Sequence, residues 1–447
     1  MATNKVSPAR KAAFDILLKV AGGSFSSTAL ASEEPHVSSL DRALCHELVL
    51  GVLRWQLNLD RVIEHFANRK VETLDEGVRV ALRLGLYQLR FLSRIPASAA
   101  VNESVNLVHL ARLSSARPFV NAVLRRASRE PQYDPLDQAT NSIDRIAIET
   151  SHPSWLIERW TNHFGPDETA SFARSNNDTP PTSFRVITSR ANSQDVLTRL
   201  TSSGATLESS TLVPDAWRVS GATNVLRELV ELGEVYLQDE ASQLVAHLVD
   251  AKPGHYILDL CAAPGGKTTL MATRAQDSAR IIATDVSAQR LGTLRRTLAQ
   301  QHLTSVTPMV LDGTSPLPFS AVFDRVLVDA PCSGTGTLRH NPEIRWRIME
   351  ADIPNLAAQQ KELLRNAARV VKPGGRLIYS TCSVEPEENE QVVEDFLQNS
   401  QEFRVIPQQR FSTQSGAIRT WPHLHRTDGF FATVFENLGV RRPGGAF

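Results

Sequence analysis

The N-terminal third of the chain carries apolar residues at three- and four-residue spacing, without the alternation that is typical of strands. The pattern recurs in PARKAAFDILLKV, LDRALCHELVLGVLRWQLNLDRVIEHF, VRVALRLGLYQLRFL, AVNESVNLVHLARL and RPFVNAVLRRAS. It predicts an all-α domain of five to seven helices within residues 6–130. A polar, proline-containing stretch at 131–150 is predicted to be a linker.

The pattern changes twice further along the chain. Helix-like HPSWLIERWTNHF is followed by alternating strand-like and helix-like pieces, which predict a small α+β module over residues 151–235. From 236 to 437, apolar runs such as HYILDLC, FDRVLVDAP and GGRLIYSTC alternate with helical patterns. Runs this uniformly apolar are expected for strands covered on both faces, so we predict a parallel doubly wound sheet. GFFATVFE, with no crossover helix before it, is predicted to add an antiparallel strand.

Composition narrows the classes of protein. The 447 residues include 48 basic and 48 acidic side chains, so the overall charge identifies no partner. Four cysteines without a CxxC pair argue against a disulfide scaffold or a tetrathiolate zinc site, and His423 and His425 lack a defined third ligand. No apolar run approaches the ~18 residues of a membrane span, and the N-terminus does not resemble a signal peptide. We therefore predict a cytoplasmic protein with free thiols, no metal and no membrane partner.

Charge is nevertheless uneven along the chain. Residues 78–129 contain nine arginines, no lysine and one acid, Glu103. Such a basic region is the electrostatic signature of nucleic-acid binding. The alternative is a set of ordinary solvated helix faces, and charge alone does not choose between the two.

The loop DLCAAPGGK, residues 259–267, follows the first strand of the predicted sheet and opens a helix. Ligands of such sheets bind beyond the carboxyl ends of the strands. A Walker A loop would need glycine at Cys261, and GxGxxG is missing, which leaves S-adenosylmethionine as the predicted ligand. Asp285 and Asp312 end the next two strands, where acids could reach the ribose and the adenine. The alternative for each single acid is a helix N-cap.

Two of the four cysteines end neighbouring strands. Cys332 follows VLVDAP and Cys382 follows LIYST, so we expect both thiols in one pocket. A thiol at an open strand end suits a nucleophile, whereas the alternative, a small buried hydrophobe, suits Cys45. A methyl donor combined with a thiol nucleophile fits methylation at carbon 5 of a pyrimidine. Addition of a thiolate at C6 makes C5 nucleophilic, and Asp329 could stabilise charge on the ring.

The acids just after Cys382 complicate this interpretation. Glu385, Glu387 and Glu388 suit the N-terminus of the helix that follows, but their charge disfavours a thiolate. Lys267 or the sulfonium of the cofactor could offset that charge.

Three long motifs resemble one known family. LDLCAAPGGKTT, DRVLVDAPCSGTGTLRHNPEIRW and YSTCSVEPEENE are similar to the cofactor loop, Pro-Cys motif and Thr-Cys motif of the Sun/Fmu (RsmB-type) bacterial 16S ribosomal RNA cytosine-5 methyltransferases. DRALCHELVLGVLRW resembles their NusB-like domain, and HPSWLIERW their intermediate module. The resemblance implies a multi-domain protein with an all-α NusB-like RNA-binding domain (1–140), a small α+β intermediate RNA-binding module (151–235) and a C-terminal α/β Rossmann-like class I methyltransferase domain (236–437). The final GVRRPGGAF is predicted to be a separate tail.

The resemblance also implies roles for residues. It assigns Cys382 as the nucleophile and Cys332 to product release, a choice that the residues alone left open, with Asp329 and Lys267 completing the catalytic group. The implied contacts to S-adenosylmethionine are Cys261, Ala262, Ala263, Pro264, Gly265, Gly266, Lys267, Asp285, Asp312 and Asp329. The implied partner is small-subunit ribosomal RNA in a single-stranded or loop region, with no obligatory protein partner. The sequence after PCS varies among relatives, which leaves the substrate loop open.

Two rival functions are compatible with parts of the sequence. A non-catalytic RNA-binding or ribosome-assembly protein could keep the fold, but it would need neither cysteine nor the glycine loop. A small-molecule or DNA methyltransferase is disfavoured by the arginine-rich helices and the Thr-Cys motif.

Overall fold

The computed structural model describes residues 6–33 and 37–439. The chain divides into two compact units, residues 1–178 with 338–348 and residues 179–337 with 349–447. The predicted C-terminal tail lies, from residue 440 onward, outside the described residues.

The first unit is helical, as predicted. Its helices before residue 178 are α1 (Pro8–Ala21), α2 (Ser26–Glu33), α3 (Ser39–Arg54), α4 (Gln56–Ala67), α5 (Glu76–Phe91), α6 (Ala97–Leu110), α7 (Arg117–Arg129), α8 (Ser142–Thr150), α9 (Ser154–Phe164) and α10 (Pro166–Ser175). The apolar faces of α1 to α7 meet in one core, to which α1, α3, α4 and α5 contribute most of the buried side chains. None of the helices in the described part of the chain has both the length and the apolar character needed to cross a bilayer.

The predicted linker at 131–150 is wrong in its second half, which forms α8. The side chain of Asn141 caps this helix by accepting a hydrogen bond from the Asp144 N–H at 2.8 Å, and Ala147 and Ile148 are buried. A nine-residue helix has too few turns for its apolar period to stand out from polar surroundings.

The remaining elements follow in chain order: β1 (Thr182–Val186), α11 (Ser193–Ser202), β2 (Thr206–Ser209), β3 (Ala216–Ser220), α12 (Thr223–Glu231), β4 (Val235–Leu237), α13 (Glu240–Leu248), β5 (Tyr256–Asp259), α14 (Gly266–Arg274), β6 (Arg280–Asp285), α15 (Ala288–Gln301), β7 (Val306–Val310), β8 (Phe323–Asp329), α16 (Ile344–Arg347), α17 (Asp352–Ala368), β9 (Val371–Thr381), α18 (Glu390–Asn399), β10 (Phe403–Val405), β11 (Ile418–Arg419), α19 (Pro422–His425) and β12 (Phe431–Asn437).

Strands β1 to β4 form a separate antiparallel sheet in the order β2-β3-β1-β4. With α11 and α12 they make the βαββαβ arrangement of ferredoxin-like modules. The module predicted over 151–235 divides between the two units: its sheet lies in the second, whereas α9 and α10 lie in the first.

The large sheet has the order β10-β12-β9-β8-β5-β6-β7, with β11 paired to β12. Strands β5 to β9 are parallel, and β12 runs antiparallel beside β9, as predicted. Both faces are covered: Ile257 packs in the core with residues of α13 to α15, and its neighbour Leu258 packs in the core with residues of α17 and α18. The carboxyl ends of β5, β8 and β9 therefore lie side by side at one edge.

Residues 338–348, with α16, belong to the first unit although they lie between β8 and α17 in the chain. Arg345 is fully buried there and donates to the carbonyls of Ser151 and Asn176 and to the side chain of Asn177 at 2.9–3.2 Å. Burial, with the charge of Arg54, lowers the pKa of Arg345 to about 9. The hydrophobic pattern of residues 338–348 does not predict that they belong to the first unit.

Candidate active site

The structure brings Cys332 and Cys382 together. Their sulfur atoms are 3.2 Å apart, and both side chains are half-buried. The parallel pairing of β8 with β9 sets Asp329 opposite Ser380, so the residues just after each strand meet at the same edge. Two thiols that are 50 residues apart in sequence thus become neighbours through sheet topology.

The two sulfurs are not equivalent. The hydrogen bond to Cys382, then burial, then the negative charges of Cys382 and Glu388 raise the pKa of Cys332 well above its ordinary value. Cys332 is therefore held as a thiol, whose S–H can donate to the sulfur of Cys382.

The loop after Cys332 is fastened to the backbone at Cys382. The Gly336 N–H donates to the Cys382 carbonyl at 2.9 Å, and the Gly336 carbonyl accepts from the Gly429 N–H at 2.8 Å. A Cβ on Gly336 would lie 2.0 Å from the Gly429 oxygen, so this close approach needs glycine.

Lys267 and Asp329 form a partly buried ion pair beside the thiols, with Nζ 2.7 Å from Oδ2, while the Ser380 hydroxyl donates to Oδ1 at 2.8 Å. Burial acts to lower the pKa of Lys267. The charge of Asp329, the hydrogen bond to it and the nearby Cys382 outweigh burial and hold that pKa above its ordinary value. The ammonium of Lys267 is thus held in its charged form.

A cavity of about 220 Å³ lies beside this ion pair. Its lining residues are Tyr236, Leu237, Gln238, Ser242, Asp259, Cys261, Ala262, Ala263, Pro264, Gly265, Gly266, Lys267 and Asp329. The whole predicted cofactor loop, Cys261 to Lys267, and Asp329 therefore border one space. Burial also raises the pKa of Cys261, so this thiol lines the cavity in its neutral form.

The cavity presents an acceptor that lacks a donor. Asp259 is buried, its Oδ2 accepts from the Thr268 hydroxyl at 2.7 Å, and its Oδ1 has no partner among the described residues. Burial raises the pKa of Asp259 to about 7, although the bond from Thr268 opposes the shift. An orphaned carboxylate oxygen fits an amino group of a ligand, such as the amine of S-adenosylmethionine.

Four lining residues come from upstream of the loop and were missed by the sequence analysis. Tyr236 and Gln238 are positioned by Arg185 of the small sheet, which lies 4.9 Å from the Tyr236 ring and donates to Gln238 at 3.2 Å. Arg185 also donates to Thr269 on α14 at 2.8 Å. The contact of the small sheet with α14 brings these residues to the cavity.

Asp285 and Asp312 do not line this cavity. Asp285 is buried at the end of β6, accepts from the Ser287 N–H at 2.9 Å and pairs with Arg290 at 3.3 Å. Asp312 is exposed and accepts from the N–H and hydroxyl of Thr314, bonds that lower its pKa. Their contacts to a cofactor remain a prediction.

Comparison with known proteins covers most of the chain. Residues 7–129 match the NusB family, 152–226 the ferredoxin-like domain of RsmF/B-like methyltransferases, and 246–436 the 16S rRNA methyltransferase RsmB/F model. A probable ribosomal RNA small subunit methyltransferase B of Synechocystis sp. is 37% identical over 90% of this chain and 92% of its own length. The chain belongs to the RsmB/F methyltransferase family.

Two further relatives support the assignment to the RsmB/F family. A probable ribosomal RNA small subunit methyltransferase B of Bacillus subtilis is 32% identical over 90% of this chain and 92% of its own length. The crystal structure of PH0851 superposes with a TM-score of 0.86 at 30% identity, covering 97% of this chain and 99% of that one. The predicted fold class is therefore confirmed. The methyl donor of this protein is S-adenosylmethionine.

Proposed function

We propose that this protein methylates carbon 5 of a cytosine in 16S ribosomal RNA through a covalent bond between Cys382 and carbon 6 of the base. The observation that carries the proposal is the sulfur pair at 3.2 Å, placed beside the Lys267–Asp329 ion pair at the edge of the cofactor cavity. A non-catalytic RNA-binding protein would need none of these groups.

The residues take the following roles. Bound S-adenosylmethionine supplies an electrophilic methyl group. The Cys382 thiolate adds to C6, and the electron pair of the C5–C6 double bond becomes available at C5. Asp329 shares a proton with ring nitrogen N3 as charge builds on the base, and Lys267 stabilises the Asp329 carboxylate. C5 takes the methyl group, and the donor sulfur leaves as a neutral thioether. A base then removes the C5 proton, whose electron pair restores the C5–C6 double bond as Cys382 leaves as thiolate, a release that Cys332 assists.

The target base must leave its stack to reach these thiols, so we propose that the substrate is a single-stranded or loop region of the RNA. The first unit offers groups for the flanking phosphates. Arg94, Arg112, Arg125 and Arg129 are exposed and form no ion pair with any described residue, whereas Arg83 is held by Asp60 at 2.7 Å. The relatives are named for small-subunit ribosomal RNA, which points to the same substrate here.

The reaction also constrains the compartment. Cys332 and Cys382 must remain reduced to act, so we propose that the protein works in the cytoplasm, where thiols stay free.

The test combines methyl transfer with trapping of the adduct. Protein, methyl-labelled S-adenosylmethionine and unmodified 16S RNA transcript should yield 5-methylcytosine, identified by nucleoside mass spectrometry. Cys382→Ala should reduce transfer by roughly 10⁴-fold, the scale on which loss of an enzymatic nucleophile is felt. Cys332→Ala should accumulate a protein–RNA adduct that survives denaturing electrophoresis. Cys45→Ala, in the core of the first unit, is the matched control and should behave as wild type.

Two outcomes would contradict the proposal. Label found only on another atom of the base would exclude the C5 assignment. Full transfer by Cys382→Ala would exclude the covalent mechanism.

A further inference from the structure

A single buried carboxylate joins the two cysteine loops. Each cysteine is followed directly by a serine, and both serine hydroxyls, Ser333 Oγ and Ser383 Oγ, donate to Glu388 Oε2 at 2.5 Å. The other oxygen, Oε1, accepts from the Ser333 backbone N–H at 2.8 Å and from the Gln360 side chain at 2.9 Å. One side chain therefore contacts the residue next to each sulfur.

This carboxylate is not where the sequence suggested. Glu388 was expected to favour the N-terminus of the following helix, yet α18 begins at Glu390 and Glu388 is fully buried beneath the cysteine loops. Gln360 extends the link, because it also donates to the Pro331 carbonyl at 2.9 Å and accepts from the Tyr379 hydroxyl at 3.1 Å.

No described basic residue forms an ion pair with Glu388, so four hydrogen bonds hold it. Burial raises the pKa of Glu388, and the bonds from Ser333 and Ser383 oppose that shift. A buried acid without a cation is costly, and an apolar side chain would fill the site at a lower cost in free energy. Its retention beside the thiols calls for a role in their arrangement.

We propose that Glu388 is a positioning residue that sets the distance between the sulfur atoms of Cys332 and Cys382. The inference deepens the function proposed above and rests on it for its catalytic meaning. Cys332 and Cys382 follow different strands, β8 and β9, and their separation depends on links between the two loops. Gly336 links the loop backbones, but Glu388 ties together the two residues that directly follow the thiols.

The charge of Glu388 supports the same arrangement. It contributes to the raised pKa of Cys332, after the bond to Cys382, burial and the charge of Cys382. The thiol of Cys332 is thereby kept protonated. The arrangement itself rests on the hydrogen-bond geometry.

The distance between the thiols can be measured without RNA or cofactor. Phenylarsine oxide bridges two close thiols by forming two As–S bonds and releasing one water, with no change in oxidation state. In wild type we expect one bound arsenical per chain, which resists washing with 2-mercaptoethanol and leaves on addition of dithiothreitol. Intact mass spectrometry counts the bound arsenicals. Cys332→Ala should retain none.

Glu388→Ala should form the bridge at least about tenfold more slowly, since both serines lose their common acceptor. Glu388→Gln, which keeps the shape and one acceptor oxygen, should restore part of the rate. Glu240→Gln removes a different fully buried carboxylate of the same unit and should bridge as wild type. Bridging by Glu388→Ala at the wild-type rate, with an unchanged thermal melt, would overturn the proposal.

Ser383→Ala provides a second variant should Glu388→Ala fail to fold, because Glu388 then keeps three of its four donors. It should slow bridging by a few fold, and a wild-type rate would likewise overturn the proposal. In methyl transfer, Glu388→Ala should lower kcat about 10²-fold with RNA KM little changed, the cost of a misplacement of about 1 Å. Slow bridging with wild-type methylation would contradict a catalytic need for the fixed distance between the sulfur atoms. Wild-type bridging with slow methylation would contradict the positioning role.

Discussion

The carboxyl edge of the large sheet has two halves that use their polar side chains differently. After β8 and β9, side chains from distant parts of the chain contact one another: Cys332 with Cys382, and Asp329 with both Lys267 and Ser380. After β6 and β7, Asp285 and Asp312 accept hydrogen bonds from the residues two positions further on, within their own turns.

The difference teaches that a strand-end position does not by itself bring a residue into the site. An acid satisfied by its own turn needs no remote partner, whereas a polar side chain that its own turn leaves unsatisfied must find a partner elsewhere in the chain. The β8–β9 half is therefore organised by long-range contacts, and the β6–β7 half by local ones. Substitutions in the two halves should differ in size and in kind.

The largest expected effect is that of Asp329→Asn, which removes the charge that holds Lys267. The ammonium of Lys267 loses the partner that raises its pKa, and the developing ring charge loses its proton-sharing group. We expect kcat to fall about 10²- to 10³-fold, the range typical for loss of one preorganised electrostatic group, with RNA KM within a few fold. The rate of methyl transfer under single-turnover conditions measures this loss.

Asp324→Asn is the matched control, because Asp324 pairs with Lys372 at the opposite end of β8. It should change stability more than rate. Equal loss of kcat in both variants would contradict a special role for the Asp329 pair.

Asp285→Ala tests the locally organised half. If Asp285 accepts the ribose hydroxyls, S-adenosylmethionine binding should weaken about 10- to 100-fold, since hydrogen bonds to a charged group contribute about 1.5–3 kcal/mol each. Asp312→Ala, at an exposed position, should change it by about threefold or less. Isothermal titration calorimetry compares the affinities of the two variants for S-adenosylmethionine. Equal affinities of Asp285→Ala and wild type would exclude Asp285 from the cofactor site.

The smallest effect is a pH dependence set by Asp259. Its raised pKa of about 7 leaves the acid protonated below that pH, where Oδ1 accepts poorly from a cofactor amine. Affinity for S-adenosylmethionine should therefore fall as pH drops below 7, by at most about tenfold per unit. Asp259→Asn should abolish this dependence in titrations at pH 6, 7 and 8.

The same shift has the opposite sign for folding. An acid whose folded pKa is raised favours the folded state while protonated, so that contribution is full below about pH 4, near the ordinary carboxyl pKa, and is lost as pH rises through 7. Between about pH 4 and pH 7, the free energy of unfolding of the cofactor-free protein should fall less steeply with pH in Asp259→Asn than in wild type. Parallel curves would show that Asp259 ionises normally.

Much of the architecture was predictable from local pattern. The helices of the first unit, the parallel strands, the antiparallel β12 and the loop from Cys261 to Lys267 all follow from period and small-residue composition, which are local properties. The short helix α8 was missed because nine residues give a weak period, and α10 was not predicted.

What the sequence by itself determined is the type of each element and the chemistry at strand ends, because hydrophobic period and residue identity are written in consecutive residues. Tertiary structure alone decided that Arg345 is buried in the first unit, that Tyr236 and Gln238 line the cofactor cavity, and that Glu388 lies beneath both thiols. Each of these depends on which distant hydroxyl, carbonyl or ring a buried polar group reaches. Such partners are chosen when whole layers pack, and no local period records them.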